Sequence, residues 1–310
     1  LFNGGNAWGT RASALDHGQL VTLSLVGKDT YHYYIDTHIQ EREGNHFLDG
    51  EPYTDRGATP MVIVKTADGS YTIASPEGGY LTANDEDTTL SCGRKSEYSQ
   101  WSILTREEYI EQVLGTFNAE HPTDVSTLIF DPKFSRCNTY FSKWDQTPAK
   151  GGDNGNNCAE KYNTTFNTSQ TLTDIPNGTY KLSVQGFYRM DSAPSKKPYY
   201  YANDVKKDLM AIEDGASTEK TGGFTTERPK DSKKYVPNSM SDSSKCFDTG
   251  AYTNDAIEVT VTNHTLKIGV EAEEKVGTNT WVIWDNFTLK LVSVDDHEYS
   301  DRAAAKIDAI

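Results

Sequence analysis

The chain has 310 residues and a formal net charge of −15 at pH 7, with 45 acidic side chains against 30 lysines and arginines. This charge argues against binding to nucleic acid or to an anionic membrane surface, because both would repel the protein. No apolar run approaches the roughly 18 residues of a membrane-spanning helix. A hydrophobic content of 35%, with 18 tyrosines and many Thr, Gly and Asn residues, favours β-sheet with long loops, and the length favours two domains.

An internal repeat runs through residues 1–104. An aromatic–Leu pair, a short apolar strand and a Tyr-x-Ile strand each recur along this stretch, at positions 47–48 and 80–81, at 21–26, 62–65 and 101–104, and at 33–35 and 71–73. Three copies of four short strands are the layout of a β-trefoil, in which the copies bury their apolar faces together. One strand of the pattern is missing, and it would lie before Leu1. We therefore expect a β-trefoil-like domain without its first strand, in a chain that has further domains.

The sequence pattern of residues 105–123 predicts a linker helix. Thr105 and Glu108 have the spacing of a capping box, and Pro122 follows the predicted end. The predicted helix carries one apolar stripe formed by Ile110, Val113, Leu114 and Phe117. Such a stripe indicates packing against one or both domains rather than binding to a partner.

Residues 124–294 predict a second domain built as a jelly-roll β-sandwich, so the whole chain is expected to be all-β with two domains. Eight strands separated by polar turns are predicted, at 126–130, 165–172, 179–188, 199–203, 209–212, 256–261, 265–270 and 281–292. A long polar insert is expected at 213–234, and a short helix at 237–246. Residues 295–310 contain helix-forming Ala, Lys and Ile residues and are expected to start a further helical module.

The last predicted strand has a period of two and carries a carboxylate. Alternation puts Asp285 on an apolar face that it shares with Ile283, Phe287, Leu289 and Leu291. An unpaired buried charge is costly, so Asp285 needs a cation, a metal ion or several hydrogen-bond donors. The expected antiparallel partner lies in residues 170–189. There a Pro-Asn-Gly turn precedes a strand with Tyr180, Leu182, Val184 and Tyr188 on one side.

Three segments carry a resemblance to a known family: DPKF at 131–134, TLTDIPNGTYKLSVQGFYR at 171–189 and TWVIWDNFTLKL at 280–291. They resemble the opening strand, the second hairpin and the closing strand of carbohydrate-binding modules of the galactose-binding jelly-roll type. The first segment departs from the family pattern, because Ser135 stands where a Glu is usual. With the trefoil-like domain and the linker helix, the chain resembles multidomain extracellular glycan-utilisation proteins of gut anaerobes.

The resemblance implies a structural calcium ion where the first and last strands meet. The matching positions are Asp131 and Asp285, whose carboxylate oxygens are ligands that calcium prefers. Two alternatives remain open for Asp285: it accepts N–H bonds from a turn, or it pairs with Lys133 or Arg136.

The resemblance also implies a glycan-binding surface. Aromatic rings stack on the C–H faces of sugars, while Asn, Asp and Arg side chains fix the hydroxyl groups. The candidates near predicted loops are Trp144, Asn154, Tyr188, Arg189, Tyr199, Tyr235 and Trp281, and the wider set of aromatics adds Tyr162, Tyr200 and Trp284. The alternative for each aromatic residue is a place in the core of the sandwich.

No nucleotide-binding or hydrolase motif is found in the sequence. The four cysteines match no zinc pattern. They are expected to be small buried hydrophobic residues, with a Cys137–Cys158 disulfide as the alternative. The expected function is non-catalytic carbohydrate binding by a secreted or cell-surface protein. The alternatives are a structural or adhesive protein-interaction module, and an enzyme whose active site lies in the polar insert.

Overall fold

The computed structural model describes residues 2–3, 8–9, 21–28, 31–36, 47–48, 58–84, 89–134, 144–145 and 158–308. The described residues form two compact units, one ending at Thr105 and the other beginning at Arg106. Both units consist mainly of β-strands, and the described residues contain three α-helices. The predicted all-β class is therefore confirmed. None of the described helices has the length and apolar character needed to cross a membrane.

The first unit contains an antiparallel pair of strands and a six-stranded antiparallel sheet whose strands are neighbours in chain order. The pair is β1 (Phe2–Asn3) and β2 (Trp8–Gly9), and the sheet is β3 (Thr22–Leu25), β4 (His32–Asp36), β5 (Met61–Lys65), β6 (Tyr71–Ala74), β7 (Tyr80–Asn84) and β8 (Thr89–Gly93). A 3₁₀-helix at Glu97–Ser99 follows. The core of this unit includes Ile35 and Ile73 of the two Tyr-x-Ile strands.

The predicted strand at 101–104 is wrong. Trp101 forms a single bridge with Tyr71, in which each residue donates its N–H to the carbonyl of the other at 2.8 Å. The Trp101 indole N–H also donates to the Leu81 carbonyl at 3.0 Å. The indole thus ties Trp101 to the neighbouring strand β7, while residues 102–104 take no strand conformation.

The described part of the second unit contains twelve strands and three α-helices. Its strands are β9 (Thr123–Asp124), β10 (Ala159–Tyr162), β11 (Phe166–Leu172), β12 (Gly178–Arg189), β13 (Tyr199–Ala202), β14 (Val205–Asp208), β15 (Met210–Ala211), β16 (Thr226–Glu227), β17 (Tyr235–Val236), β18 (Ile257–Val261), β19 (Leu266–Ala272) and β20 (Trp281–Val294). Its helices are α1 (Arg106–Thr116), α2 (Met240–Asp248) and α3 (Glu298–Asp308).

Two sheets pack around the main core of this unit. The first sheet has the order β10-β20-β12-β15, with β18 also pairing with β12 and β9 with β20, and the second has the order β11-β19-β13-β14. All these pairs are antiparallel except β12–β15. Apolar residues of both sheets meet in one cluster, where the Phe166 ring of the second sheet stacks on the Trp284 ring of the first at 5.4 Å.

The predicted pairing of the closing strand is confirmed. β20 pairs antiparallel with β12, and Tyr180, Leu182, Val184 and Tyr188 all point into the main core as expected. The Pro-Asn-Gly turn does not form a hairpin, however. It carries the chain from β11 in the second sheet to β12 in the first.

The predicted face assignment of β20 is wrong beyond Asp285. The register places Ser183 opposite Thr288 but Gln185 opposite Asp285, so β20 has one extra residue, a β-bulge, at this point. Asn286 sits in the bulge with a φ of 49°. The bulge reverses the alternation, so that Phe287 joins Trp284 in the main core while Asp285 faces the opposite side of the sheet.

The predicted strand at 126–130 is also wrong, because Ser126–Leu128 forms a 3₁₀-helix. The Asp124 carboxylate Oδ1 accepts hydrogen bonds from the backbone N–H and the hydroxyl of Ser126, at 2.9 and 2.6 Å. Such short-range side-chain bonds compete with a β-ladder.

The helices pack on the second unit. Ile110, Val113 and Leu114 of α1 are buried in its main core, so the predicted apolar stripe is confirmed. The predicted helix at 237–246 is confirmed as α2. Helix α3 is held by Glu298, a buried residue that accepts the N–H of Asn177 at 2.8 Å. The expectation of a further module beginning at residue 295 stays a prediction.

Candidate functional site

A second, smaller core covers the outer face of the first sheet. It contains Cys158, Phe187, Ile212, Val236, Cys246, Phe247, Tyr252, Trp281 and Ile283. Residues from the polar insert, from α2 and from the segment after it pack there against the sheet. The predicted insert at 213–234 is thus in part structured, with β16 paired to β17. Cys158 and Cys246 carry free thiols. Cys137, the partner of Cys158 in the alternative disulfide, lies outside the described residues.

Three side chains form a row at the end of this face. Tyr162 of β10 and Arg189 of β12 both pair with Trp281 of β20. Directly opposed residues of antiparallel strands project to the same side, so the three side chains are neighbours. Arg189 and Trp281 are two of the predicted site residues, and the structure brings them together.

The Trp281 ring forms the buried floor of this row. Its side chain is 3% exposed, and its indole N–H donates to Glu160 Oε2 at 2.7 Å. The Phe187 ring meets it edge-on at 5.4 Å, and the Arg189 guanidinium lies over it, 4.8 Å from the ring centroid. Trp281 therefore supports Arg189 by a cation–π contact and has no free ring face for a sugar.

Arg189 is half-buried and only partly satisfied. Its Nη1 donates to Asn238 Oδ1 at 2.8 Å, while no described residue accepts a hydrogen bond from its buried Nε. Burial and the nearby Arg228 guanidinium lower the pKa of Arg189. Asn238 directly precedes Ser239, the N-cap of α2, so the helix start fixes the position of the amide.

Tyr162 supplies the accessible ring of the row. Its side chain is 50% exposed, and its hydroxyl donates to Asn279 Oδ1 at 3.1 Å. Asn279 Nδ2 in turn donates to Asp191 Oδ1 at 2.9 Å, and Asp191 Oδ2 accepts the backbone N–H groups of Thr278 and Asn279 at 2.8 and 3.3 Å. Hydrogen bonds from Asn279 and Thr278 lower the pKa of Asp191. Asp191 thus holds the loop that orients Tyr162.

The other predicted sugar-binding residues lie elsewhere. Trp144 and Tyr188 are 3% and 7% exposed in the main core, so neither offers a ring face to a ligand. Tyr199 lies on the second sheet, where Lys206 Nζ covers its ring at 4.4 Å. Tyr235 is in β17 and is paired with Glu227 of β16. Asn154 lies outside the described residues.

The two predicted calcium ligands are brought near each other at the bulge. The Phe287 N–H donates to the Pro132 carbonyl at 2.8 Å, which docks the 131–134 loop beside Asp285. The Asp285 carboxyl is 3% exposed, and its Oδ1 accepts the Asn286 N–H at 2.7 Å. Burial, and then the neighbouring Asp131 and Asp248 carboxylates, raise the pKa of Asp285 well above its usual value. Within the described ranges, no three His, Cys, Asp or Glu side chains form a group able to hold a metal ion.

Sequence patterns did not identify four residues of the network around Tyr162 and Arg189. These are Asn238, Asn279, Asp191 and Glu160. They lie in loops or on a short edge strand, and periodicity gives no signal there. No protein-family model matches the chain, and a search of curated proteins also gives no match.

Proposed function

We propose that the protein binds carbohydrate without catalysis, through the row formed by Tyr162, Trp281 and Arg189. The observation that carries this proposal is the exposed Tyr162 ring, which lies beside a guanidinium and is held in place by an asparagine. An exposed aromatic ring next to amide and guanidinium groups is the combination that sugar recognition needs.

Each part of the row has a role in this proposal. The Tyr162 ring stacks on the C–H face of a sugar. Asn238, Asn279 and Arg189 hydrogen-bond its hydroxyl groups. Trp281 holds the Arg189 side chain, and Asp191 holds the loop with Asn279. Strands β10, β12 and β20 form a rigid support for these groups, which limits the entropy lost on binding.

The architecture in this proposal is a β-trefoil-like domain followed by a jelly-roll domain in a secreted or cell-surface multidomain protein. Its support is the sequence repeat of residues 1–104, the six-stranded sheet of the first unit and the two packed sheets of the second. The resemblance of the three sequence segments supports the extracellular setting.

A glycan array, followed by calorimetric titration with the glycans found, tests this function. We expect Tyr162→Ala to weaken binding by about tenfold, because aromatic stacking is worth about 0.5–1.5 kcal/mol beyond the apolar area that it buries. Tyr299→Ala is the matched control, since Tyr299 is also 50% exposed but lies on α3. Absence of any glycan ligand, together with binding to a cell-surface protein, would overturn the proposal in favour of an adhesive role.

A calcium ion at Asp131 and Asp285 is a separate prediction from the resemblance. Its support is the proximity of the two residues at the bulge. Calcium takes six to eight oxygen ligands, and among the described residues no three His, Cys, Asp or Glu side chains come together at this place. Sugar binding by the Tyr162 row does not depend on this ion.

A further inference from the structure

Arg189 has an unsatisfied hydrogen-bond donor, although several carboxylates lie nearby. The neighbouring carboxylates are all engaged by protein donors: Glu160 by the Trp281 indole, Asp191 by backbone amides and Asn279, and Glu213 by Arg228 Nε at 2.5 Å. No described residue accepts from Arg189 Nε. Arg189 therefore keeps one buried donor unsatisfied, while each of these three carboxylates already accepts a hydrogen bond from the protein.

A second guanidinium lies beside the first. The Ile212 N–H donates to the Tyr188 carbonyl at 2.8 Å, so Glu213 follows directly next to Arg189. The Glu213 carboxylate accepts a hydrogen bond from Arg228 Nε, and no described residue accepts one from the two outer nitrogens of Arg228. The Arg228 side chain is 38% exposed, so these nitrogens can reach a ligand.

We propose that Arg189 and Arg228 make the site selective for a sugar that carries a carboxylate or sulfate group. This inference rests on the proposed carbohydrate-binding function. A guanidinium binds such groups through two parallel N–H bonds, which are stronger than bonds to a neutral hydroxyl. A partly buried guanidinium with an unsatisfied Nε also gains from an anionic partner, because part of its desolvation has already taken place in the free protein.

The net charge of the chain decides whether an acidic sugar is attracted by the whole protein or only by the two arginines. At −15 it repels anions at long range, so attraction to the whole protein does not draw an acidic sugar in. Selectivity must come from short-range contacts at the two arginines. Removing either arginine should therefore change the preference between acidic and neutral sugars more than it changes binding to the neutral sugar.

The test is calorimetric titration of the full chain with matched pairs of oligosaccharides. One pair is an oligogalacturonide and its carboxyl-reduced form, and the other is a chondroitin sulfate oligosaccharide and its desulfated form. We expect one anionic member to bind at least about tenfold more tightly than its neutral partner. The pair that shows the difference identifies the group as carboxylate or sulfate.

Arg228→Gln is the main variant, because the Arg228 side chain is 38% exposed, and Arg189→Gln is the second. Each should reduce the preference for the anionic sugar by about tenfold. Arg228→Gln should leave neutral binding within about twofold, whereas Arg189→Gln should also weaken neutral binding, because Arg189 contacts the sugar hydroxyl groups in the proposed function. Lys230→Gln removes an exposed charge from the same insert and should change neither. Equal binding of anionic and neutral partners, or an unchanged preference in both arginine variants, would overturn the inference while the proposed function stands. Failure of every probe and of the glycan array would overturn both.

Discussion

Gln185 and Asp285 lie directly opposite each other across β12 and β20, at the bulge and on the outer face of the sheet. Gln185 is fully engaged: its Nε2 donates to the carbonyls of Phe247 and Ala251 at 3.0 and 2.8 Å, and its Oε1 accepts from Asn286 Nδ2. Asp285 is more deeply buried, and among the described residues its carboxyl accepts one hydrogen bond, from the N–H of Asn286. The polar groups of the bulge therefore anchor the segment around α2 to the sheet, while the Asp285 carboxyl remains poorly compensated.

This arrangement predicts that Asp285 is a neutral acid in the folded protein at pH values below its raised pKa. Because the pKa of Asp285 is raised in the folded state, the folded protein keeps this proton at pH values above 3.8. The unfolded chain has released it at those pH values. Stability should consequently fall as the pH rises from about that value towards the folded pKa. Asp285→Asn keeps the acceptor for the Asn286 N–H and removes this ionisation. We expect its free energy of unfolding, measured by urea denaturation, to exceed that of the wild type by an amount that grows as the pH rises above 3.8.

The same variant separates the neutral acid from the calcium prediction. A bound cation would keep Asp285 ionised, so Asp285→Asn would then destabilise the protein in calcium and have little effect in a chelator. Melting curves of both proteins in calcium and in EDTA distinguish the two states. A rise in melting temperature with calcium in the wild type alone would establish the ion and overturn the neutral-acid assignment.

The bulge also shows why part of the fold could be predicted and part could not. Strand β20 and its pairing with β12 follow from long apolar runs and alternation, which are strong signals. The reversal of faces at Asn286 depends on the 131–134 loop, whose Pro132 carbonyl takes the N–H of Phe287. No local pattern in β20 encodes that distant contact.

The site was predictable to a similar extent. Arg189 and Trp281 stand at strand ends, where ligands often bind, and they were identified on that basis. Trp144 has the same local features, but its indole N–H donates to the Phe130 carbonyl at 2.9 Å inside the core. Whether a loop aromatic folds inward depends on a buried acceptor elsewhere in the chain, and sequence alone does not show one.

Glu298 should be a main determinant of how α3 is attached. Its side chain is fully buried and accepts from Arg302 Nε as well as from the Asn177 N–H, with His264 Nδ1 at 3.7 Å. Glu298→Gln leaves Arg302 without its charged partner, so we expect a loss of about 2–3 kcal/mol in the free energy of unfolding. Glu111→Gln breaks an exposed ion pair with Lys306 and should leave stability nearly unchanged. Equal effects of the two substitutions in urea denaturation would show that Glu298 does not anchor α3 as a buried charge.

Gly178 should tolerate no side chain. It starts β12 with a φ of 154°, and a Cβ there would overlap the carbonyl oxygen of Ser293 on β20. Because both neighbours are paired backbone, the clash cannot relax cheaply, and we expect Gly178→Ala to cost about 2–4 kcal/mol. Gly115 in α1 has open space around its Cβ position, so Gly115→Ala should stabilise the protein by about 0.5–1 kcal/mol. Thermal unfolding of the two variants should thus shift the melting temperature in opposite directions.

Asp191 should affect glycan binding more than stability. Its carboxylate holds the loop that carries Asn279, and Asn279 orients the Tyr162 hydroxyl, yet Asp191 itself is exposed. We expect Asp191→Ala to weaken glycan binding by about threefold to tenfold, because one or two positioning hydrogen bonds are lost, with little change in melting temperature. Asp204→Ala is a control, since Asp204 is an exposed aspartate in the turn between β13 and β14.

The pH dependence of binding gives an independent check of this role. Hydrogen bonds lower the pKa of Asp191 below the usual 3.8, so the carboxylate keeps its charge and its backbone donors as the pH falls towards that value. A group with a lowered pKa loses its contribution only when the pH falls through that lowered pKa. At pH 3.8 a carboxyl with the usual pKa would be half protonated, whereas Asp191 should remain mostly ionised. Binding of a neutral glycan should therefore be nearly the same at pH 3.8 as at pH 7, provided that the fold is intact by circular dichroism. A decline in affinity between these values that Asp191→Ala abolishes would show that Asp191 titrates normally and does not hold the loop as a carboxylate.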